Sequence, residues 1–377
     1  MKNFRLFFLL LSLILLLWGC TDDGPSGPDA DDFDRQAILV NWADNLVIPA
    51  FEAFEVKAAE LDNAAATFTT DPTDTNFNSL KSSFEEAYLS FQSVSMYEIG
   101  PAMIGSQRIS LSTFLNSYPT NTDQIDSNIA SGGSTNLELP SQRDSQGFPA
   151  LDYLLFGAAD SDAEILNLFS EGSESEAYRT YLTSLTGRIQ ALAEGVLNQW
   201  QTGYRNEFVE NSGNGGNASI DMMVNDYIFY YEKWLRAGKI GIPAGVFSGT
   251  PLPGNVEAYY HGSFSRELAL EALGAAQNFF NGAHFDGSGS GESLKSYLDY
   301  LDTRRDGSDL SALINTQFEN ARTEIEQLNQ NFAQQVDQDN TRMLRAYDEL
   351  QQNVVYMKVD MLQALNINVD YVDADGD

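Results

Sequence analysis

The chain has 377 residues, 54 of them Asp or Glu against 21 Lys or Arg, giving a formal net charge of −33. That acidity argues against nucleic-acid binding, where Lys and Arg must meet the phosphates, and against electrostatic docking on an anionic membrane surface. A single Cys excludes an internal disulfide framework, two His exclude His-rich metal or relay sites, and a 43% hydrophobic content excludes a disordered chain.

Lys2 and Arg5 open a short basic region, and Leu6 to Trp18 is almost wholly apolar. This reads as a secretory signal, too short to span a bilayer comfortably. Leu17-Trp18-Gly19-Cys20 ends it and resembles a lipoprotein cleavage box. Residues 1–20 are therefore expected to be a signal peptide, with Cys20 acylated as the mature N-terminus. A plain signal peptide with a coincidental Cys is the alternative. The expected membrane contact runs through the acyl chains. Residues 21–34 hold six Asp and no basic residue, and read as a solvated tether. An acidic stretch at this place also resembles a surface-export signal of Bacteroidetes lipoproteins.

Apolar residues then recur at threes and fours. Asp34 to about Phe68 reads as a helix with a kink or turn at Pro49. Phe77 to Val94 reads as an amphipathic helix stopped by Gly100-Pro101. Ser106 to Ser145, rich in small polar residues, reads as a long irregular connection. Helices are expected at 176–208, 220–239, 256–280, 294–301, 310–332 and 341–365. No convincing alternating strand pattern appears. The fold expected is all-α: a first helical-bundle domain at 35–210 and a second at 211–377, each like a four-helix bundle, divided at Asn211 to Asn217. The halves share a broad organisation, as a duplication would leave. The acidic C-terminus, Asp370 to Asp377, reads as a solvated tail; it lacks the frame of a calcium loop.

No zincin, hydrolase-elbow or phosphate-loop motif occurs. The most distinctive stretch is Ser141-Gln-Arg-Asp-Ser-Gln-Gly-Phe-Pro-Ala-Leu-Asp-Tyr-Leu-Leu-Phe-Gly157. It resembles the imelysin signature, Gly-x-His-x-x-Glu followed by an aromatic and an apolar run. Gly147 matches the Gly, Pro149 stands where the His would be, Asp152 stands for the Glu, and Tyr153 begins the run. Lys239-Ile-Gly-Ile-Pro243 and Glu257-Ala-Tyr-Tyr-His-Gly-Ser263 add to the likeness, which extends to imelysin-like lipoproteins of Bacteroidetes resembling iron-regulated protein A. The resemblance implies two helical bundles with a site near their interface, export, and a link to iron uptake. Some members were classed as metallopeptidases.

The site residues expected on this basis are Gly147, Pro149, Asp152, Tyr153, Glu98, Lys239, Glu257 and His261. Asp152, Glu98 and His261 are the candidate metal ligands. Glu98 ends a helix, where the dipole disfavours an anion, so a cation or Arg partner is expected there, but several of the others have a plainer reading. Pro149 and Asp152 suit the first turn of a helix, and so does Glu257. Lys239 suits a helix C-terminus, and His261 can be an ordinary half-buried His. Pro149 cannot coordinate through its side chain, so weak or absent binding of iron or another divalent metal is expected. The function expected is a non-enzymatic ligand-binding accessory of iron or other nutrient uptake, lipid-anchored to the outer membrane on its periplasmic or outer face and working with uptake-system proteins. A metallopeptidase of the imelysin class and a surface module for glycan or peptide are the competing readings.

Overall fold

A computed structural model describes residues 31–104, 110–213 and 215–370. The expected signal, Cys20 and most of the tether lie outside the described residues, as do Asp373, Asp375 and Asp377. The chain divides into Met1–Asp34, of which only 31–34 are described, and a compact unit from Arg35 onward.

The described residues are almost all helix. Helix α1 spans residues 35–70, α2 Asp74–Gln92, α3 Leu111–Leu115, α4 Thr122–Ala130, α5 147–157, α6 Asp162–Ser170 and α7 175–210. After the break near 211–218 come α8 at 219–241, α9 Ser265–Asn281, α10 Leu294–Tyr300, α11 Leu310–Glu326 and α12 at 332–364. The strands among the described residues are two two-residue pieces, Arg304–Arg305 and Ser308–Asp309. The fold is all-α.

In the first half α1 packs on α2 and α7. The apolar stripes of these helices meet in an aromatic core that includes Phe54, Phe91 and Phe148. In the second half α12 packs on α8 and α11, and α9 closes the group. Tyr231 meets Phe318 edge-on there, with ring centroids 5.6 Å apart. Helix α2 packs on α9 across the halves, and Trp42 stacks on Phe279 at 4.6 Å.

Pro49 does not break α1. A π turn at Trp42–Val47 precedes it, in which the Ile48 N–H reaches back to the Ala43 carbonyl. In a regular helix the Asn45 carbonyl would take the N–H of residue 49, which proline lacks. It instead accepts the Phe285 N–H at 2.8 Å. The expected kink is thus a turn widened by about one residue, and its spare acceptor holds a loop of the second half.

The stretch expected to be irregular, Ser106 to Ser145, is built from short helices where described: α3, α4 and a 3₁₀ segment at Pro140–Ser145. Its Ser and Asn residues serve as caps. Asn121 accepts the Gln124 N–H at 3.0 Å to start α4. The helix expected at 256–280 begins only at Ser265, so Glu257 and His261 lie in the turns before it. The last two expected helices, 310–332 and 341–365, shift in register: α11 stops at Glu326, and α12 starts at Phe332 and bends at Asp339.

Candidate functional site

Two stretches distant in sequence meet at the site: α5 with its approach, and the turn segment 253–262. Gly147 opens α5 in a left-handed conformation (φ +74°), and a Cβ there would lie 2.3 Å from the Leu115 carbonyl oxygen. Only glycine allows the end of α3 to approach so closely. Pro149 falls in the first turn of α5, where a missing N–H costs nothing. At the other end of α5, a Cβ on Gly157 would fall 2.1 Å from the Tyr260 ring. The bare backbone there seats Tyr260 against the helix.

This seating brings the 260–261 backbone onto Asp152. The buried Asp152 carboxylate accepts the Tyr260 N–H on Oδ2 at 2.8 Å and the His261 N–H on Oδ1 at 2.9 Å. Helix-start chemistry does not describe this residue; it clamps the second half onto α5. Burial pushes its carboxyl up to about 7, against the two backbone N–H groups that pull it down, with the Glu257 charge adding to the rise. This group is protonated more readily folded than unfolded. Its stabilising contribution is therefore fully present below the unfolded value near 4 and is lost as pH rises through about 7. Urea unfolding at pH 5 and pH 8 should show Asp152→Asn flattening the wild-type change by ~2–4 kcal/mol. An unaltered pH slope would remove Asp152 as its source.

Asp152 and Pro149 line a cavity of about 190 Å³ with Tyr118, Thr120, Val256, Tyr259 and Tyr260 among its walls. The cavity draws residues from both sides of the 211–218 break. Tyr153 is not among them. Its ring packs edge-on against Tyr260 at 5.1 Å, and its hydroxyl reaches Asp126 at 3.2 Å on the surface.

Beneath this cavity lies a buried polar cluster. Lys239 Nζ donates to Glu257 Oε2 and, at 2.8 Å, to Gln92 Oε1. Glu257 Oε1 accepts from Asn116 Nδ2 at 2.7 Å and the Tyr88 hydroxyl at 3.3 Å. Lys239 and Glu257 are almost completely buried. Desolvation lowers the Lys239 pKa, opposed by Glu257. Burial, then the Glu257 charge, holds the Tyr118 hydroxyl well above its usual range. Tyr118 also lines a second gap of about 10 Å³ beside Lys239, roughly the space of one water. Tyr118 is thus shared by the linings of these two spaces.

The three candidate metal ligands do not converge. Both Asp152 oxygens hold backbone N–H groups. Glu98 accepts from the Ser110 hydroxyl and from the Ser112 N–H at 3.2 Å. His261 Nε2 lies 2.8 Å from Glu85, with its ring against Phe156 and Phe264. Among the described residues, no three His, Cys, Asp or Glu side chains are grouped to hold an ion. With proline at the His position of the motif, the residues present do not fit an iron or zinc centre.

The structure therefore unites Gly147, Pro149 and Asp152 with the Lys239–Glu257 pair, and leaves Glu98 and the imidazole of His261 in other contacts. Sequence reasoning missed Tyr118, Tyr259, Tyr260, Gln92, Asn116 and Tyr88. The signal for two of them was present in the motif holding Glu257 and His261. The signal for Tyr118 was an aromatic–proline pair within a polar stretch.

The family model described as Imelysin, labelled peptidase M75, matches residues 47–357. Solved structures similar to the chain include the following two. One is an imelysin-like protein from Psychrobacter arcticum, at 17% identity and a TM-score of 0.67, covering 91% of this chain and 99% of that one. The other, from Parabacteroides distasonis, is assigned as an iron-regulated protein A precursor, at 15% identity and a TM-score of 0.70, covering 89% and 97%. No curated protein matches the chain.

Proposed function

The chain belongs to the imelysin family, and from that membership we propose that it is an exported lipoprotein that binds a ligand without transforming it, in the service of iron or other nutrient uptake. The observation that carries this reading is the cavity at Asp152. It is small, walled by tyrosines and built by both halves, and its one buried carboxylate already holds two backbone N–H groups. Such a site sets rigid tyrosine rings and their hydroxyls around a ligand smaller than the usual occupants of pockets of about 300–1,000 Å³. A peptidase needs a polarised water and a base beside a metal, and the candidate donors here are engaged with Ser110, Ser112, Glu85 and the 260–261 backbone. The name of the Parabacteroides protein, iron-regulated, supports the nutrient context. Among the described residues no helix is long and apolar enough to cross a membrane, and we assign membrane attachment to acylated Cys20.

The test pairs growth with metal content. A deletion strain should grow more slowly on iron-limited medium. The wild-type gene should restore growth, and the Asp152→Ala gene should not. Protein lacking residues 1–20 should hold less than one equivalent of iron or zinc after titration, and should leave casein uncut. Normal growth of the deletion strain would remove the uptake role. A stoichiometric metal lost in Asp152→Ala, with casein cleavage, would establish the peptidase instead.

A further inference from the structure

A larger cavity, about 450 Å³, lies between α2 and α9 and shares no lining residue with the Asp152 cavity. Its size falls within the range of about 300–1,000 Å³ usual for small-molecule sites. Its deep wall is apolar and buried: Leu46, Met96, Tyr97 and Phe279. Its polar groups are Ser90, Ser93, Glu271 and Asn278. Glu271 is the one charged residue in the lining, and Ser93 Oγ donates to it at 3.1 Å. Small residues on α9, Gly274 and Ala275, leave the space open.

The elements that build this cavity also join the two halves, through α2 on α9 and Trp42 on Phe279. Leu46 reaches it from the π turn of α1. Phe285 edges it from the loop after α9, and that loop is fastened to the Asn45 carbonyl, the acceptor that Pro49 leaves over. Widened helical turns of this kind are frequent at functional sites.

We propose that this cavity is a second ligand site, for a small organic ammonium compound with an apolar body. The exposed ring of Phe285 at the rim receives the body, over an apolar floor that includes Tyr97 and Phe279. The Glu271 carboxylate, oriented by Ser93, receives the ammonium group by a charge-assisted hydrogen bond. The absence of Lys, Arg and His from the lining sets the preference for a cation over an anion of equal size.

Phenethylamine titrated into the mature chain by calorimetry tests this. Saturable one-to-one binding is expected, with phenethyl alcohol, which lacks the charge, at least about tenfold weaker. Glu271→Gln should weaken phenethylamine by about tenfold, and Ala275→Phe, which fills the space, should abolish binding. Glu271 is exposed, so its variant decides the matter even where Ala275→Phe does not fold. Asp152→Asn should leave phenethylamine binding unchanged, which separates this site from the one proposed above. Absence of saturable binding, equal affinity for the alcohol, or unaltered binding in Glu271→Gln or a folded Ala275→Phe would overturn the proposal.

Discussion

Glu257→Ala should destabilise the protein by about 3–5 kcal/mol, because it strands the Lys239 ammonium in the interior with the Gln92 amide oxygen in place of a carboxylate. Unfolding entropy of roughly 2.1 cal/mol/K per residue makes this a fall in Tm of about 4–7 °C for a chain of this size. The double variant Glu257→Leu with Lys239→Met should recover a large part of that loss. Removing both charges avoids the buried unpaired one, and an apolar pair of similar volume is often no less stable than a buried ion pair. Asn116 Nδ2 would still lose its carboxylate acceptor, although Tyr88 would keep the Asn116 Oδ1, so recovery should be incomplete. Differential scanning calorimetry of the three proteins gives the comparison. A double variant as unstable as the single one would show that hydrogen bonding, and not charge, dominates the cluster.

Gly147→Ala should be nearly as damaging. A left-handed conformation costs a residue with a Cβ roughly 1–2 kcal/mol. The new methyl would also sit 2.3 Å from a backbone oxygen, that of Leu115, which cannot rotate away as a side chain would. The expected loss is at least about 3 kcal/mol by urea unfolding, through strain at a special backbone position. Gly195→Ala is the matched control. It lies inside α7 with no neighbour within 4 Å of the added methyl, and should gain about 0.5–1 kcal/mol. Equal effects at the two positions would mean that the entry to α5 is not held as tightly as its geometry requires.

These two variants also mark what the amino-acid order discloses. The helices were readable because their stripes are long: Phe77, Leu80, Phe84, Tyr88 and Phe91 keep one face of α2 apolar over four turns. The π turn of α1 was not readable. It inserts no telltale residue, and Pro49 alone is equally consistent with a kink. Segment 106–145 misled because the Ser and Asn residues that cap short helices also populate loops. At the site, Gly147, Asp152, Lys239 and Glu257 were named from their likeness to a motif, and their pairing was not. Glu257 finds Asn116 and Gln92, 141 and 165 residues away, and no local spacing encodes such a meeting. Tyr88 was hidden most completely. Its ring belongs to the core stripe, stacked on Phe148 at 4.5 Å, while its hydroxyl points at Asn116 and Glu257. A tyrosine in a helical stripe ordinarily reads as core alone.

The Lys239–Glu257 cluster sets an order of assembly. Tyr88, Gln92 and Asn116 are made early, and the carboxylate and ammonium that satisfy them arrive more than a hundred residues later. A growing chain cannot finish the interior of its first half until residue 257 has been delivered. The first 210 residues alone would have to leave these polar groups wet or bury them unsatisfied, so they gain little by closing early.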